Sequence, residues 1–135
     1  EEASLWTKEI YKIFSKNNIT ILRIGLHPTE GFKDNKNLIA GPFHVAFKEI
    51  VLTKLWKDII RDQIKLEFNN LKKETKNFKN NNIIGIIIET NNAHQRFAIG
   101  HKSENKNELK KIFKEVSYKI DPTLHNFCCK ISLYT

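Results

Sequence analysis

The chain contains no methionine, and its two cysteines, Cys128 and Cys129, are adjacent. Neighbouring thiols cannot form a disulfide framework, and on a strand they face opposite ways, which makes them a poor chelate. No metal site is therefore expected. Cysteine usage this sparse points to a reducing, cytoplasmic compartment. No apolar run approaches the ~20 residues that a membrane span needs, so no membrane partner is expected. The start, Glu1-Glu2-Ala3-Ser4, lacks the basic region and apolar core of a signal peptide. The absence of methionine, initiator included, reads as the mark of a processed or excised segment. General catalytic signatures are missing too: there is no Walker-type glycine loop, Gly-x-Ser-x-Gly elbow, zinc spacing or His-Glu-x-x-His helix. The chain alone is not expected to be an independent enzyme.

What is present is charge, asparagine and isoleucine. A net charge of +8 over 135 residues favours anionic partners, nucleic acid first among them. The competing explanation is a Lys- and Asn-rich composition that only solvates the surface. The length is one domain's worth, enough to bury a core.

The chain is organised around Ile19-Thr20-Ile21-Leu22-Arg23-Ile24-Gly25-Leu26, an apolar run that reads as a strand buried on both faces of a parallel sheet. Before it, Leu5, Trp6, Ile10, Ile13 and Phe14 lie at helical spacing behind Ser4, a candidate N-cap, and Asn17-Asn18 ends the helix. Helix, tight turn and strand form the second half of a βαβ unit whose first strand would lie before residue 1. The polar loop from His27 to Asn37 sits at the carboxyl end of the strand, where such sheets bind ligands. A helix is expected from about Pro42, its apolar positions running from Phe47 to Leu71. Residues 72–82 read as a linker between a first module, 1–71, and a second, 83–135. In the second, a strand over Ile83–Glu89 precedes a helix over Ala93–Ile99 and a break at Gly100. A further helix begins near Glu104 with Leu109, Ile112 and Phe113 on one face. Alternation over Val116–Ile120 and Phe127–Tyr134, with Asp121-Pro122 between, predicts an antiparallel hairpin.

Candidate site residues follow from chemistry. Arg23 stands within an apolar strand, where an unpaired charge is costly; it either meets an acidic partner or points to an anionic ligand. His27 and His44 flank the loop and could act as acid, base or ligand, or make ordinary hydrogen bonds. Strand, helix, glycine turn, helix and two strands is an order similar to KH RNA-binding modules, whose turn clamps backbone nucleotides. The turn here is Gly100-His101-Lys102-Ser103, with Ser103 in place of a second glycine. Lys102, Lys106 and Lys110, with Lys111, would supply phosphate-facing charge. The alternative is a plain helix-turn-helix on a small sheet.

Two longer stretches, Phe14 to Thr29 and Ala40-Gly41-Pro42-Phe43-His44-Val45-Ala46-Phe47, resemble the region just after the core of bacterial radical S-adenosylmethionine proteins. The subgroup is oxygen-independent coproporphyrinogen III oxidase-like and related to the catalytic subunit of elongator. The likeness covers most of residues 4 to 60 and continues weakly through Ile99-Gly100-His101-Lys102 and Asn105; Val45 stands where relatives usually have proline. The resemblance implies an α/β (α+β) fold: the end of a partial (β/α) barrel, a long helix, and a small KH-like α/β module. It implies a full-length oxidoreductase in which three cysteines hold a 4Fe-4S cluster that cleaves S-adenosylmethionine. That Cys-x3-Cys-x2-Cys motif is absent here, so the chain would be an accessory C-terminal portion that closes the barrel. Arg23, His27 and His44 would then lie near the substrate, and the elongator kinship suggests tRNA. Deprived of the remainder of the barrel, the fragment is expected to self-associate.

Overall fold

The computed structural model describes residues 1–26, 44–74 and 83–135. His27 and the rest of the predicted loop, the helix start at Pro42, and residues 75–82 of the predicted linker lie outside the described residues.

Helix α1 spans Glu2–Lys16, starting three residues earlier than the Ser4 cap predicts. Ser4 lies inside the first turn, buried, with its hydroxyl donating to the Glu1 carbonyl at 2.7 Å. The Asn17-Asn18 stop works as expected. Asn18 turns left-handed at φ 56°, and the amides of Asn18 and Ile19 donate back to the carbonyls of Ser15 and Phe14, the paired bonds of a Schellman cap.

Residues 19–26 form no strand and pair with none of the described residues. Leu22 is 94% exposed. This corrects the reading of a buried strand: a β-ladder needs a neighbour, and no described segment supplies one. Only Ile24 packs on the margin of the core.

Helix α2, Phe47–Glu74, runs through residues 72–74 that were read as linker. Strand β1, Gly85–Thr90, is followed by α3, Gln95–Ile99, a single 3-10 turn over His101–Ser103, and α4, Glu104–Leu109. Strands β2, Glu115–Ile120, and β3, Lys130–Tyr134, complete a sheet of order β2-β1-β3. The predicted hairpin is not formed. β2 pairs parallel to β1 and β3 antiparallel to it, so the central strand separates the two. Alternation reports which residues share a face and carries no information about which strand lies next door.

The register explains the layering. Ile86 and Ile88 of β1 stand beside Val116 and Tyr118 on one side and Leu133 and Ile131 on the other. This face packs against the helices; Leu52, Leu55, Trp56 and Ile60 of α2 share one core with Ile86, Ile88, Phe97, Leu109 and Phe113. The opposite face brings Glu89 level with Lys119 and Lys130. At its edge the Tyr134 ring lies across Gly85, where a Cβ would collide with it, and donates to Glu115 at 2.9 Å. The described residues thus form a mixed α+β fold with a three-stranded sheet covered by helices on one face.

α1 attaches to the outside of α2 in an unexpected orientation. Its inward stripe is Ser4, Lys8 and Tyr11, with Lys8 and Lys12 meeting Asp58 at 2.7 and 2.6 Å. The apolar stripe picked out by periodicity faces away: Trp6 is 66% and Ile13 58% exposed, and Leu5, Ile10 and Phe14 are exposed with them.

Candidate functional site

The second turn of α2 and the segment from α3 to α4 meet around one threonine. Thr53 is buried, and its hydroxyl accepts the backbone N–H of His101 at 2.8 Å while its carbonyl accepts Asn105 Nδ2 at 3.0 Å. Gly100 is required between them. Its φ of 91° and ψ of 157° belong to a region essentially closed to other residues, and a Cβ there would lie 2.9 Å from both the Asn105 amide nitrogen and Thr53 Cγ2. After Gly100 the backbone stays unusual, with Lys102 and Ser103 both left-handed, at φ 51° and 60°.

This clamp brings two predicted histidines together. The rings of His44 and His101 meet edge to face with centroids 6.1 Å apart. His44 Nδ1 accepts the Ala46 amide at 3.0 Å, which makes it part of the entry to α2 and leaves Nε2 to carry the proton of the neutral ring. His101 Nδ1 lies 3.4 Å from Glu49 Oε2, a contact that tightens when the imidazole is protonated. Beside them a shallow pocket of about 310 Å³ is lined by Glu49, Arg96, Gly100, His101, Lys102 and Ser103. Arg96 and Lys102 are exposed there. Two permanent cations, a titratable imidazole and one carboxylate suit an anionic group at the surface, with Glu49 limiting the net attraction.

The other predicted residues are not gathered here. Arg23 is exposed and has no ion-pair partner among the described residues, so the argument from a costly buried charge lapses. Lys106 on α4 and Lys110 just past its end do not line this pocket. His27 lies outside the described residues. Arg96, Glu49 and Thr53 were missed. Arg96 had a legible signal, since it stands one helical turn before the Gly100 break; Thr53 and Glu49 had none, because they face the turn only once α2 is docked.

The cysteines do not fit an iron–sulfur cluster. Cys128 is exposed, whereas Cys129 is buried in the core, and burial, with the adjacent Cys128, pushes its thiol up to about 11. A cluster needs thiolates converging from separated positions. Among the described residues no group of three or more His, Cys, Asp or Glu side chains is placed to hold a metal ion, and no helix is long and apolar enough to cross a membrane. No protein-family model matches the chain, and no curated protein or solved structure is significantly similar to it.

Proposed function

We propose that this chain is the accessory C-terminal portion of a radical S-adenosylmethionine iron–sulfur enzyme, closing the open side of its barrel and positioning an RNA substrate, tRNA in particular. The observation that carries this reading is the uncovered apolar surface formed by the outward stripe of α1 and the segment Ile19–Leu26. Ile19, Leu22 and Leu26 are exposed in sequence after Trp6, Ile10 and Ile13. A helix whose apolar stripe faces away from the chain's own core, followed by an apolar segment of which only Ile24 packs against that core, supports reading this region as a terminal barrel unit awaiting its neighbours. α1 is held by the ion pairs of Lys8 and Lys12 with Asp58 and by Tyr11 packed on the core, which leaves its apolar stripe free for that contact. The cysteines that bind the cluster belong, in this reading, to the rest of the barrel. Residues of this chain contribute the lid side: Arg96 and Lys102 present positive charge to an anionic substrate, with the Nε2–H of His44 and the ring of His101 beside them.

The test is anaerobic purification of the polypeptide that carries this chain together with barrel residues. Iron–sulfur absorbance and reductive cleavage of S-adenosylmethionine are expected; finding neither sinks the proposal.

The net charge of +8 favours a second reading, a basic RNA-binding module without chemistry of its own. A salt titration of tRNA affinity examines it: log K should fall linearly with log salt, with a slope of about −0.9 per duplex phosphate contacted, less for single strands. Absence of binding at low salt removes this reading.

A further inference from the structure

One histidine outside the Gly100 pocket stands at the junction of α1, α2, α3 and the stretch before β3. His94 precedes α3, and its backbone is fixed on both sides: the amide donates to Asn91 Oδ1 at 2.9 Å, and the carbonyl accepts the amides of Phe97 and Ala98 at 2.9 and 3.1 Å. Three aromatic rings lie around the imidazole. The centroids of Trp56, Phe97 and Phe127 are 5.7, 6.1 and 4.5 Å away, and Phe127 meets it at an interplanar angle of 90°. Nδ1 is buried with no hydrogen-bond partner. A protonated ring carries N–H on both nitrogens, so acid creates a buried donor without an acceptor and strips hydration from the new cation. Attraction of a cation to aromatic rings offsets part of that cost. The Phe97 ring, however, already has the Arg96 guanidinium 4.5 Å from its centroid, so a second cation there meets like charge.

The ionisable groups on the surrounding elements do not compensate. On α2, Lys57 and Asp58 follow Trp56 and are engaged by Glu108 and by Lys8 and Lys12. Glu89, at the end of β1, lies on the opposite face of the sheet with Lys119 and Lys130. Tyr11 on α1 and Cys129 beyond Phe127 are neutral below pH 7, and His125 is exposed. Burial is accordingly the one cause that lowers the His94 pKa. Of the three rings, Phe127 is the one free to yield. Trp56 and Phe97 are buried in the core, whereas Phe127 is half-buried between β2 and β3 and packs on the margin of that core. Its other side meets Tyr11 of α1 edge to face, with centroids 5.5 Å apart. Asn91 anchors both ends of the contact, its Nδ2 donating to the Asn126 carbonyl at 3.2 Å while its Oδ1 holds the His94 amide. The give is therefore between the rings and not in the backbone that carries them.

We propose that His94, Phe127 and Tyr11 form a pH-sensitive latch on α1: protonation of His94 displaces Phe127, Phe127 releases Tyr11, and α1 opens more readily while the sheet stays folded. Tyr11 is the hydrophobic residue through which α1 packs on the core, so losing it leaves the helix held chiefly by Lys8 and Lys12 on Asp58. Those ion pairs persist in mild acid, since carboxylates stay ionised above about pH 5. A histidine is the side chain suited to such a switch, because its charge changes between about pH 5 and 8. Every group in the latch belongs to the described chain, so it does not depend on the barrel reading. Its consequence for that reading is that mild acid loosens the helix whose outward stripe is assigned to the barrel contact.

Native-state hydrogen exchange followed by NMR, corrected for the intrinsic effect of pH on amides, separates α1 from the sheet. Between pH 7 and 5 the protection of the Ile10 and Tyr11 amides should fall several-fold while staying well below that of Ile86 and Ile88, the sign of a local opening. His94→Phe keeps an aromatic ring and should abolish the fall; His94→Gln, equally without charge, serves the comparison where the larger ring does not fit. Tyr11→Leu should lower α1 protection at pH 7 and remove most of its pH dependence, although the His94 Cε1 resonance still titrates. Protection of α1 that is independent of pH while that of β1 falls overturns the latch, because His94 then opposes only global unfolding. A fall that persists in both His94 variants assigns the effect to another group and overturns it too. Equal protection of α1 and β1 at both pH values does the same, since α1 then opens only with the whole fold.

Discussion

Three residues set the response of this protein to acid and to small substitutions. His94 is packed edge-on to Phe127 with ring centroids 4.5 Å apart, and burial holds its pKa below the ordinary imidazole value. A depressed folded pKa means that the neutral ring is stabilising above about pH 6.5 and that this contribution fades as pH falls toward the folded value. Urea midpoints measured between pH 7 and 5 should therefore decline, and His94→Phe should flatten that decline. Asp121 acts lower. Hydrogen bonds from Lys130 and then Thr123 bring its carboxyl down to about 2, so its contribution is complete above the unfolded value near 4 and is lost as pH drops through about 2. Asp121→Asn should remove that part of the acid limb only. Gly100→Ala confronts both a forbidden backbone region and the Thr53 contact, and should cost about 1–3 kcal/mol in denaturant unfolding. Substitution at the exposed Lys102 should cost far less.

At the scale of elements, α1 is the informative one. Periodicity correctly located a helix, and the same periodicity misled about its orientation, because amphipathicity says that one face is apolar and not what covers it. The ion pairs of Asp58 and the packing of Tyr11 on Phe127 hold the other face inward. Burial alone would raise the Asp58 carboxyl, but hydrogen bonds from Lys12 and Lys8 outweigh it and hold it low. Asp58→Asn should loosen α1 with a global cost on the order of 1 kcal/mol. The two tryptophans make this visible, since Trp56 is fully buried and Trp6 is 66% exposed. Iodide should quench Trp6 and spare Trp56. On assembly with the proposed barrel, Trp6 emission should move to shorter wavelength and its quenching should be lost; an unchanged Trp6 in an active assembly would contradict the docking surface assigned to α1.

For the molecule as a whole, the core joins α2 to the sheet. Leu52, Leu55 and Trp56 meet Ile86 and Ile88 across the stretch 75–82, which the sequence presented only as a boundary. The isolated chain therefore has a folded centre and an apolar flank without cover. Self-association should follow, seen as a concentration-dependent rise in light-scattering mass. The double variant Trp6→Glu, Leu22→Asp should suppress it without altering the unfolding midpoint, as both residues stand clear of the core. A strictly monomeric parent chain at high concentration would show that the flank is not adhesive.

Local chemistry was enough to determine where several helices and strands begin and end. The Asn17-Asn18 stop, the Gly100 break, a strand read at 83–89 that stands at 85–90, and a helix through Phe47–Leu71 that runs on to Glu74 follow, to within a few residues, from capping, backbone freedom and side-chain period, which act over a few neighbouring residues. The pairing order β2-β1-β3, the outward turn of α1, the failure of 19–26 to become a strand, and the convergence of Thr53, Gly100, His101 and Asn105 did not follow. Each of these depends on which distant segment is present as a neighbour. A ladder, a buried face and a shared hydrogen-bond acceptor are properties of two segments at once, and only their packing in three dimensions decides them.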